Sequence, residues 1–198
     1  MTYDQLVAAV LGYFGNAGDP DPNFAAYMPT IVEMAESKIY TVLRHPRMIR
    51  SDFVKSLSDT QSPPFLVPSR MLEAARMTDA TPWYYQSPEQ FFKLKEPTDF
   101  QMWTIYGDEI VLSQDATDTV VFAWYDKPEP LAEADQSAIF QLYPQLFLYG
   151  SLAEAARYLR EPESVIANLD GTFQGTLNQA RLEGWNASLP LGQTPAAV

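Results

Sequence analysis

The chain lacks cysteine altogether and carries a single histidine, His45, among its 198 residues. Without cysteine it has no disulfides, no thiolate metal sites and no cysteine nucleophile, which is typical of proteins outside the oxidising compartments. No apolar run reaches the roughly 18–20 residues that a membrane span needs. The N-terminal sequence also lacks the basic segment of a signal peptide. We therefore expect no membrane partner, and we expect neither a metal nor an organic cofactor.

Basic residues are also scarce. Lysine and arginine number 13 against 25 aspartate and glutamate residues, which gives a formal net charge of −12. A protein that grips duplex DNA normally needs an excess of cations to neutralise phosphates, so this composition excludes a DNA clamp. Two interpretations stay open. An acidic surface keeps nearby DNA mobile by repelling it, or it serves only solubility.

Apolar residues are plentiful, with 46% hydrophobic and 13% aromatic side chains. This composition is not that of a disordered chain. The length suits one domain, or a body that carries one inserted subdomain.

The N-terminal part has the periodicity of two helices. Residues 2–14 form the first, with Thr2 as its cap. The second runs to about Arg44 and carries an apolar stripe at helical spacing. Because proline disfavours a helix interior, Pro29 predicts that regular helix begins near residue 28, and Pro46 ends it. The stripe consists of Phe24, Met28, Ile31, Ala35, Ile39 and Val42.

Between Ser51 and Pro128 the pattern changes to short β-type runs separated by turn formers. Gly107-Asp108 is a two-residue hairpin signal. The run 119–125 is apolar on both faces, so we expect a central or interface strand. Ser87 is positioned to cap a helical turn that starts at Pro88. The predicted runs are 53–57, 65–67, 71–77, 83–85, 101–106, 109–113 and 119–125.

A helical hairpin is predicted after this region. Its first arm runs from about Ser137 to Leu159 and its second follows Pro162, with Val165, Leu169, Phe173, Leu177 and Ala180 spaced near four. Small residues in the first arm allow another helix to come close. The tail 186–198 carries no charged side chain, and its two prolines oppose helix. The small residues are Gly150, Ser151, Ala153, Ala155 and Ala156.

Residues that can support chemistry do not form a recognisable catalytic motif. His45 lies at a helix end, where the helix dipole favours a protonated imidazole in a structural role. The carboxylate pairs Glu33/Glu36 and Glu129/Glu133 resemble ordinary solvated or capping charges, although a small hydrolase stays a third hypothesis. Residues 19–23 offer oxygen ligands but lack the glycine and distal glutamate of a calcium loop, which favours a turn. Gly171 and Gly175 lack the lysine of a phosphate loop.

The aromatic strands leave an alternative function open. Trp83, Trp103 and Trp124 lie in runs that can form either a core or a sugar-stacking platform. A carbohydrate- or receptor-binding tail module requires at least one of these tryptophans to be exposed, whereas a structural role predicts that they are buried.

Two segments then point to a family. The helix Ile31…Ala35-Glu36…Ile39…Leu43-Arg44…Met48 resembles the "I-x-x-x-A-E-x-x-I-x-x-x-L-R" helix of head-to-tail adaptor proteins of tailed bacteriophages, also called connectors or tail tubular protein A. The segment Tyr143-Pro144…Leu148-Tyr149-Gly150-Ser151-Leu152-Ala153-Glu154-Ala155-Ala156…Leu159 resembles their "Y-P-x-x-x-x-Y-G-x-L-x-E-A-A-x-Y-L" helix. The two motifs stand in the family's order around a β-rich insert, so the resemblance covers almost the whole chain.

The resemblance implies a non-enzymatic virion protein, assembled in the host cytoplasm, that forms a ring of twelve subunits beneath the portal. A downstream tail or nozzle protein docks on the far side, and DNA passes through the centre without sequence-specific binding. A C-terminal arm reaches the portal, with Trp185, Leu189, Pro190, Leu191 and Val198 as its candidate contacts. Candidate helix-packing and assembly residues are Ile31, Ala35, Ile39, Leu148, Leu152 and Ala156.

The predicted fold class is α+β. A helical bundle body, made of the N-terminal helices and the C-terminal hairpin, spans 1–48 and 129–185. An antiparallel β-rich subdomain is inserted at 50–128, and an extended C-terminal arm spans 186–198.

Overall fold

A computed structural model describes residues 1–15, 22–54, 65–78, 82–94, 101–113, 120–134 and 137–188. These residues fold into a mixed α+β structure, which confirms the predicted fold class. They form two compact units. One, the helical unit, comprises Met1–Met48 and Lys127–Val198, and the other, the β unit, comprises Ile49–Asp126.

The described part of the helical unit contains six α-helices and a short 3₁₀ turn at Pro46–Met48. The helices are α1 (Tyr3–Phe14), α2 (Pro22–Val42), α4 (Leu131–Ala134), α5 (Ala138–Leu142), α6 (Pro144–Tyr158) and α7 (Glu163–Ser188), while α3 (Pro88–Leu94) belongs to the β unit.

The cap predicted for α1 is confirmed. Thr2 Oγ1 accepts the backbone N–H of Gln5 at 3.2 Å, and the Gln5 side chain accepts the N–H of Thr2 at 3.0 Å. This reciprocal pair is a capping box, which satisfies donors that the first helical turn leaves unpaired.

The start predicted for α2 is wrong. The helix begins at Pro22 and continues through Pro29, although an interior proline removes one hydrogen bond and costs about 3 kcal/mol. Phe24 and Met28, which lie before Pro29, are 3% and 1% exposed. Their burial gives the first turns a tertiary stabilisation that local propensity does not report. The predicted turn at residues 19–23 lies largely outside the described residues.

The first arm of the predicted hairpin is divided into two helices. Pro144 disfavours helical geometry in the residue before it, and Tyr143 has φ −127° and ψ 57°. The chain therefore turns at Tyr143 between α5 and α6. At the other end, α7 continues to Ser188, so residues 186–188 are helical rather than extended as predicted.

The β unit contains seven strands in the described residues. They lie in the order β1-β7-β3-β4-β5-β6-β2. All the pairings are antiparallel except β4 with β5, because α3 lies between these two strands in the chain. The strands are β1 (Ile49–Val54), β2 (Phe65–Leu66), β3 (Met71–Thr78), β4 (Pro82–Tyr85), β5 (Met102–Tyr106), β6 (Glu109–Leu112) and β7 (Val120–Asp126).

The predicted central strand and hairpin are both confirmed. β7 pairs with β1 on one side and β3 on the other, as expected for a strand that is apolar on both faces. Gly107 has φ 63°, and Asp108 has a negative φ, so the β5–β6 turn places glycine at its first central position. That is the requirement of a type II′ hairpin. Residues 55–57 of the first predicted run lie outside the described part of the chain.

Candidate assembly surface

Five of the six predicted packing residues lie inside the helical unit. Ile31, Ala35 and Ile39 of α2, and Leu152 and Ala156 of α6, are at most 3% exposed, whereas Leu148 is half-buried. Within one chain these side chains fill the space between its own helices. Their part in assembly stays a prediction. On α2 the predicted stripe holds except at its end, where Val42 is 44% exposed and Leu43 is buried instead.

The small residues of α6 bring three helices together. A Cβ built at Gly150 would lie 3.2 Å from Phe173 Cε2 of α7 and 3.3 Å from Ala35 Cβ of α2. Real Cβ atoms seldom have contacts this close, so glycine permits a closer approach of the helices than a residue with a Cβ would. The surrounding positions 150–156 of α6 are all buried. This helix is therefore the centre of the unit.

A buried carboxylate is part of an ion-pair network that links the same three helices. Glu154 of α6 has a side chain that is only 4% exposed. It accepts Lys38 Nζ of α2 at 2.5 Å and Arg157 Nη1 at 2.7 Å. Arg157 also donates to Asp170 of α7. Because a buried charge is tolerated only when it is paired and hydrogen-bonded, these two partners compensate the burial of the Glu154 carboxylate.

His45 lies at the centre of a second polar cluster. It is 5% exposed, and its Nδ1 accepts the backbone N–H of Arg47 at 3.1 Å. The proton of a neutral ring therefore resides on Nε2, which lies 3.4 Å from Tyr143 Oη. Glu183 of α7 lies near the Tyr143 hydroxyl. Both ring nitrogens are thus engaged by the chain itself, an arrangement that suits a structural histidine.

The prediction that His45 is protonated is wrong. Burial lowers the pKa of His45, and the nearby charge of Arg47 lowers it further, while Glu183 opposes them. The helix-dipole argument failed because desolvation of a buried imidazolium outweighs the attraction of a helix end. Burial also raises the pKa of Tyr143 to about 12, with Glu183 adding to the effect.

A groove of about 340 Å³ adjoins this cluster, between the α5–α6 turn and α7. Its apolar side is formed by Leu142, Pro144 and Leu146, and its polar side by Gln179 and Glu183 of α7. Gln179 Nε2 donates to Glu183 at 2.9 Å, and this bond is the main reason that the pKa of Glu183 is lowered.

Beyond the groove, the end of α7 exposes large apolar side chains. Leu182 is 64% exposed and Trp185 is 62% exposed. Trp185, predicted as the first residue of the arm contacts, thus lies on a helix and faces solvent. The other predicted arm contacts, Leu189, Pro190, Leu191 and Val198, lie outside the described residues. Sequence reasoning missed Leu182, although its i, i+3 spacing to Trp185 placed both on one helix face.

The tryptophans do not form a sugar-stacking platform. Trp83, Trp103 and Trp124 are 4%, 2% and 9% exposed and share one core cluster with Phe122. The carbohydrate-binding alternative required at least one of them to be exposed, so its structural basis is absent. Tyrosines are exposed instead, with Tyr84, Tyr85 and Tyr106 each more than half exposed.

The carboxylate pairs do not face each other across a cleft. Glu36 is buried at 4% exposure, and its Oε1 accepts the Leu131 N–H at the start of α4, 3.2 Å away. Glu33, Glu129 and Glu133 are exposed. Among the described residues, no cluster of three histidine or acidic side chains is arranged to hold a metal ion. No described helix combines the length and apolarity that a membrane crossing requires.

The described residues thus combine an ion-pair network between helices with an exposed apolar helix end. The chain belongs to the SU10 adaptor protein family, whose family model matches residues 1–194. This is a family of phage adaptor proteins, structural rather than enzymatic and part of the virion. The resemblance to phage head-to-tail adaptors is thereby confirmed. No curated protein matches the chain.

Proposed function

We propose that this chain is a head-to-tail adaptor that forms a ring between the portal and the tail, with DNA passing through its centre. The observation that carries the proposal is the match to the adaptor family over residues 1–194. A ring of twelve subunits at the head-to-tail interface, built in the host cytoplasm and followed by a tail or nozzle protein, completes it. Association with other phage structural proteins follows from being an adaptor.

The charge of the chain supports a passive role toward DNA. A net charge of −12 repels the phosphate backbone, so a channel lined by such subunits lets DNA slide without adhering. We propose that the ring contacts DNA without sequence specificity and needs no cofactor.

We propose that successive parts of the chain have different roles. The body, 1–48 and 129–185, packs against neighbouring subunits, with α2 and α6 as its scaffold, and the segment 50–128 forms the β-rich insert. The arm, reduced to residues 189–198 because α7 continues to Ser188, binds the portal. The exposed Leu182 and Trp185 at the end of α7 support an attachment point there, because a few apolar anchors usually dominate an interface.

Native mass measurement tests the ring. The purified chain is measured alone and after addition of the cognate portal, and a closed ring is expected in at least one condition. A chain that stays a monomer in both and does not bind the portal overturns the proposal.

A truncation tests the arm separately. Removing residues 189–198 leaves α7 intact, so the helical unit should keep its circular dichroism spectrum and lose portal affinity. A second variant, Leu189→Ser with Leu191→Ser, keeps the length of the chain and removes only two apolar side chains. We expect it to weaken portal binding to a similar extent as the truncation does. Portal affinity that is unchanged in both variants rejects the arm while leaving the ring untouched.

A further inference from the structure

The groove beside the α5–α6 turn has two chemically different walls. Its volume of about 340 Å³ lies at the lower end of the range for ligand pockets, about 300–1,000 Å³. The groove therefore has room for one or two side chains and not for a folded element. One wall is apolar and consists of Leu142, Pro144 and Leu146, and the other is a polar face of α7. We call this cavity the α7 groove.

Close packing holds the polar wall in place. A Cβ built at Gly184 would lie 2.9 Å from His45 Cδ2 and 3.4 Å from the Arg44 carbonyl oxygen. Because glycine has no Cβ, α7 approaches the segment that follows α2 more closely than another residue would allow. Glu183, the preceding residue, lies near the Tyr143 hydroxyl and lines the α7 groove. The polar wall therefore belongs to the packed part of the helical unit.

The polar wall offers acceptor oxygens. Thr176, Gln179 and Glu183 are spaced three and four residues apart, which places them on one face of α7. The Thr176 hydroxyl donates to the backbone, with Oγ1 2.8 Å from the Phe173 carbonyl oxygen. Gln179 Nε2 donates to Glu183 Oε1 at 2.9 Å. Since a carboxylate only accepts, this bond fixes the orientation of the amide and leaves the Gln179 oxygen as an acceptor.

The α7 groove is also negatively charged. Among the described residues that line it, Glu183 has the only charged side chain. The hydrogen bond from Gln179 lowers the pKa of Glu183, so its carboxylate is ionised at neutral pH. Arg47 influences the pKa values of His45 and Tyr143 but is not part of the lining. A cation that enters the groove therefore meets an opposite charge in the wall.

We propose that the α7 groove binds an arginine side chain that a protein partner presents on an exposed segment. The guanidinium has five N–H donors in a planar fork and no acceptor, which matches the oxygens of Thr176, Gln179 and Glu183. Its aliphatic stem lies along the apolar wall, where Leu142 is 42% exposed and leaves apolar surface to cover. A lysine ammonium is a compact, strongly hydrated charge and lacks this fork.

The charge of the whole chain favours the same kind of partner. At a net charge of −12 the chain attracts proteins that carry basic segments. The identity of the partner, a portal or tail protein, rests on the proposed function, in which the adaptor associates with other phage structural proteins. Arginine binding itself requires neither a ring nor a portal.

Matched small probes test the groove. Nα-acetyl-arginine amide, the corresponding citrulline amide and the corresponding lysine amide are titrated into the full chain, and saturation-transfer difference NMR gives their dissociation constants. Citrulline keeps the shape of arginine and loses its charge, so we expect it to bind at least about tenfold more weakly. We expect the lysine amide to bind more weakly as well. An affinity for the arginine amide that does not exceed those for both other probes overturns the proposal.

Two substitutions locate the binding site. Glu183→Gln removes the charge of the groove, whereas Glu163→Gln removes one exposed charge at the start of α7 and changes the net charge equally. Circular dichroism checks that both variants are folded. We expect Glu183→Gln to bind the arginine amide at least about tenfold more weakly and Glu163→Gln to bind it as the unsubstituted chain does. Equal affinity of the two variants overturns the groove as the site.

The same two variants test the partner. We expect Glu183→Gln to lose about tenfold in affinity for the portal or for the tail protein that follows the adaptor, while Glu163→Gln keeps its affinity. Equal affinities of the two variants for both proteins overturn the proposed partner. A chain that binds the arginine amide but forms no ring supports the groove and contradicts the adaptor ring. A ring that does not bind the probe contradicts only the groove.

Discussion

Glu36 shows how a single buried residue links protonation to stability. Its carboxylate accepts the Leu131 N–H from a site where it is 4% exposed. Burial raises its pKa from 4.5 to about 7; the Leu131 hydrogen bond and the charge of Lys127 oppose this shift, and Glu33 adds to it. The folded chain therefore holds a proton on Glu36 more tightly than the unfolded chain does.

This shift gives a signed prediction for Glu36→Gln. Since the folded pKa is raised, the wild-type free energy of unfolding should fall as pH rises from 4.5 to about 7 and stay reduced above that range. Glutamine can still accept the Leu131 N–H and does not titrate. We expect the variant to be more stable than wild type by about 1–2 kcal/mol near pH 8, and nearly equal to it below about pH 4.5.

Urea unfolding at both pH values measures the gap, with Glu163→Gln, an exposed glutamate at the start of α7, as the matched control. The control should show a smaller difference from wild type near pH 8 than Glu36→Gln shows. A gap for Glu36→Gln that is the same at low and high pH would show that its burial does not control stability through protonation.

Single residues also show which features could be predicted from the sequence and which could not. The apolar spacing of α2 placed Ile31, Ala35 and Ile39 on one helix face, because period alone fixes a face, and that face is buried. It gave the wrong residue at the end of the helix, where Val42 is exposed. The charge state of His45 was inaccessible, since it depends on residues such as Glu183, far away in the chain, and on burial that no local pattern reports.

At the scale of elements, the contact of α6 with α2 and α7 depends on the missing side chain of Gly150. An alanine there would force its Cβ against Ala35 Cβ and the Phe173 ring. The backbone-attached Cβ of Ala35 cannot move aside without moving α2. The cost of overpacking a dense core is about 1–3 kcal/mol, which opposes the gain in helix propensity of about 1 kcal/mol.

We therefore expect Gly150→Ala to be less stable than Gly12→Ala by about 1–3 kcal/mol, measured as the free energy of unfolding in urea. Gly12 lies in α1, and a Cβ there meets nothing within 4 Å, so its substitution reports helix propensity alone. Equal stability of the two variants would mean that α6 can shift to accommodate the methyl group and that its close packing is not essential.

Elements were predicted well wherever local rules decide the structure. The Thr2 cap, the Gly107 turn and the central position of β7 each follow from a few neighbouring residues. The division at Tyr143 was missed because the apolar stripe continues across it, although Pro144 carries the signal for a break. The parallel pairing of β4 with β5 was also unexpected, because it depends on where α3 leads the chain rather than on the strands themselves.

At the scale of the whole molecule, the net charge affects how readily copies of the chain associate. Composition alone established the excess of acidic residues, whereas family membership depended on two helix motifs and their order. Neither reveals which surfaces meet, because the packing motifs are buried in the chain's own core. The faces left for association, such as the end of α7 that exposes Leu182 and Trp185, were visible only once the fold showed which side of this helix is exposed.

This charge gives a prediction for self-association. Raising NaCl from about 0.1 M to about 1 M shortens the Debye length from about 10 Å to about 3 Å, which removes most of the repulsion between chains of −12. We therefore expect the weight-average mass in sedimentation to rise with salt. The double variant Glu133→Gln/Glu163→Gln, which removes two exposed negative charges, should start from a higher mass at low salt and gain less. A mass that falls with salt would show instead that ion pairs between copies outweigh their net repulsion.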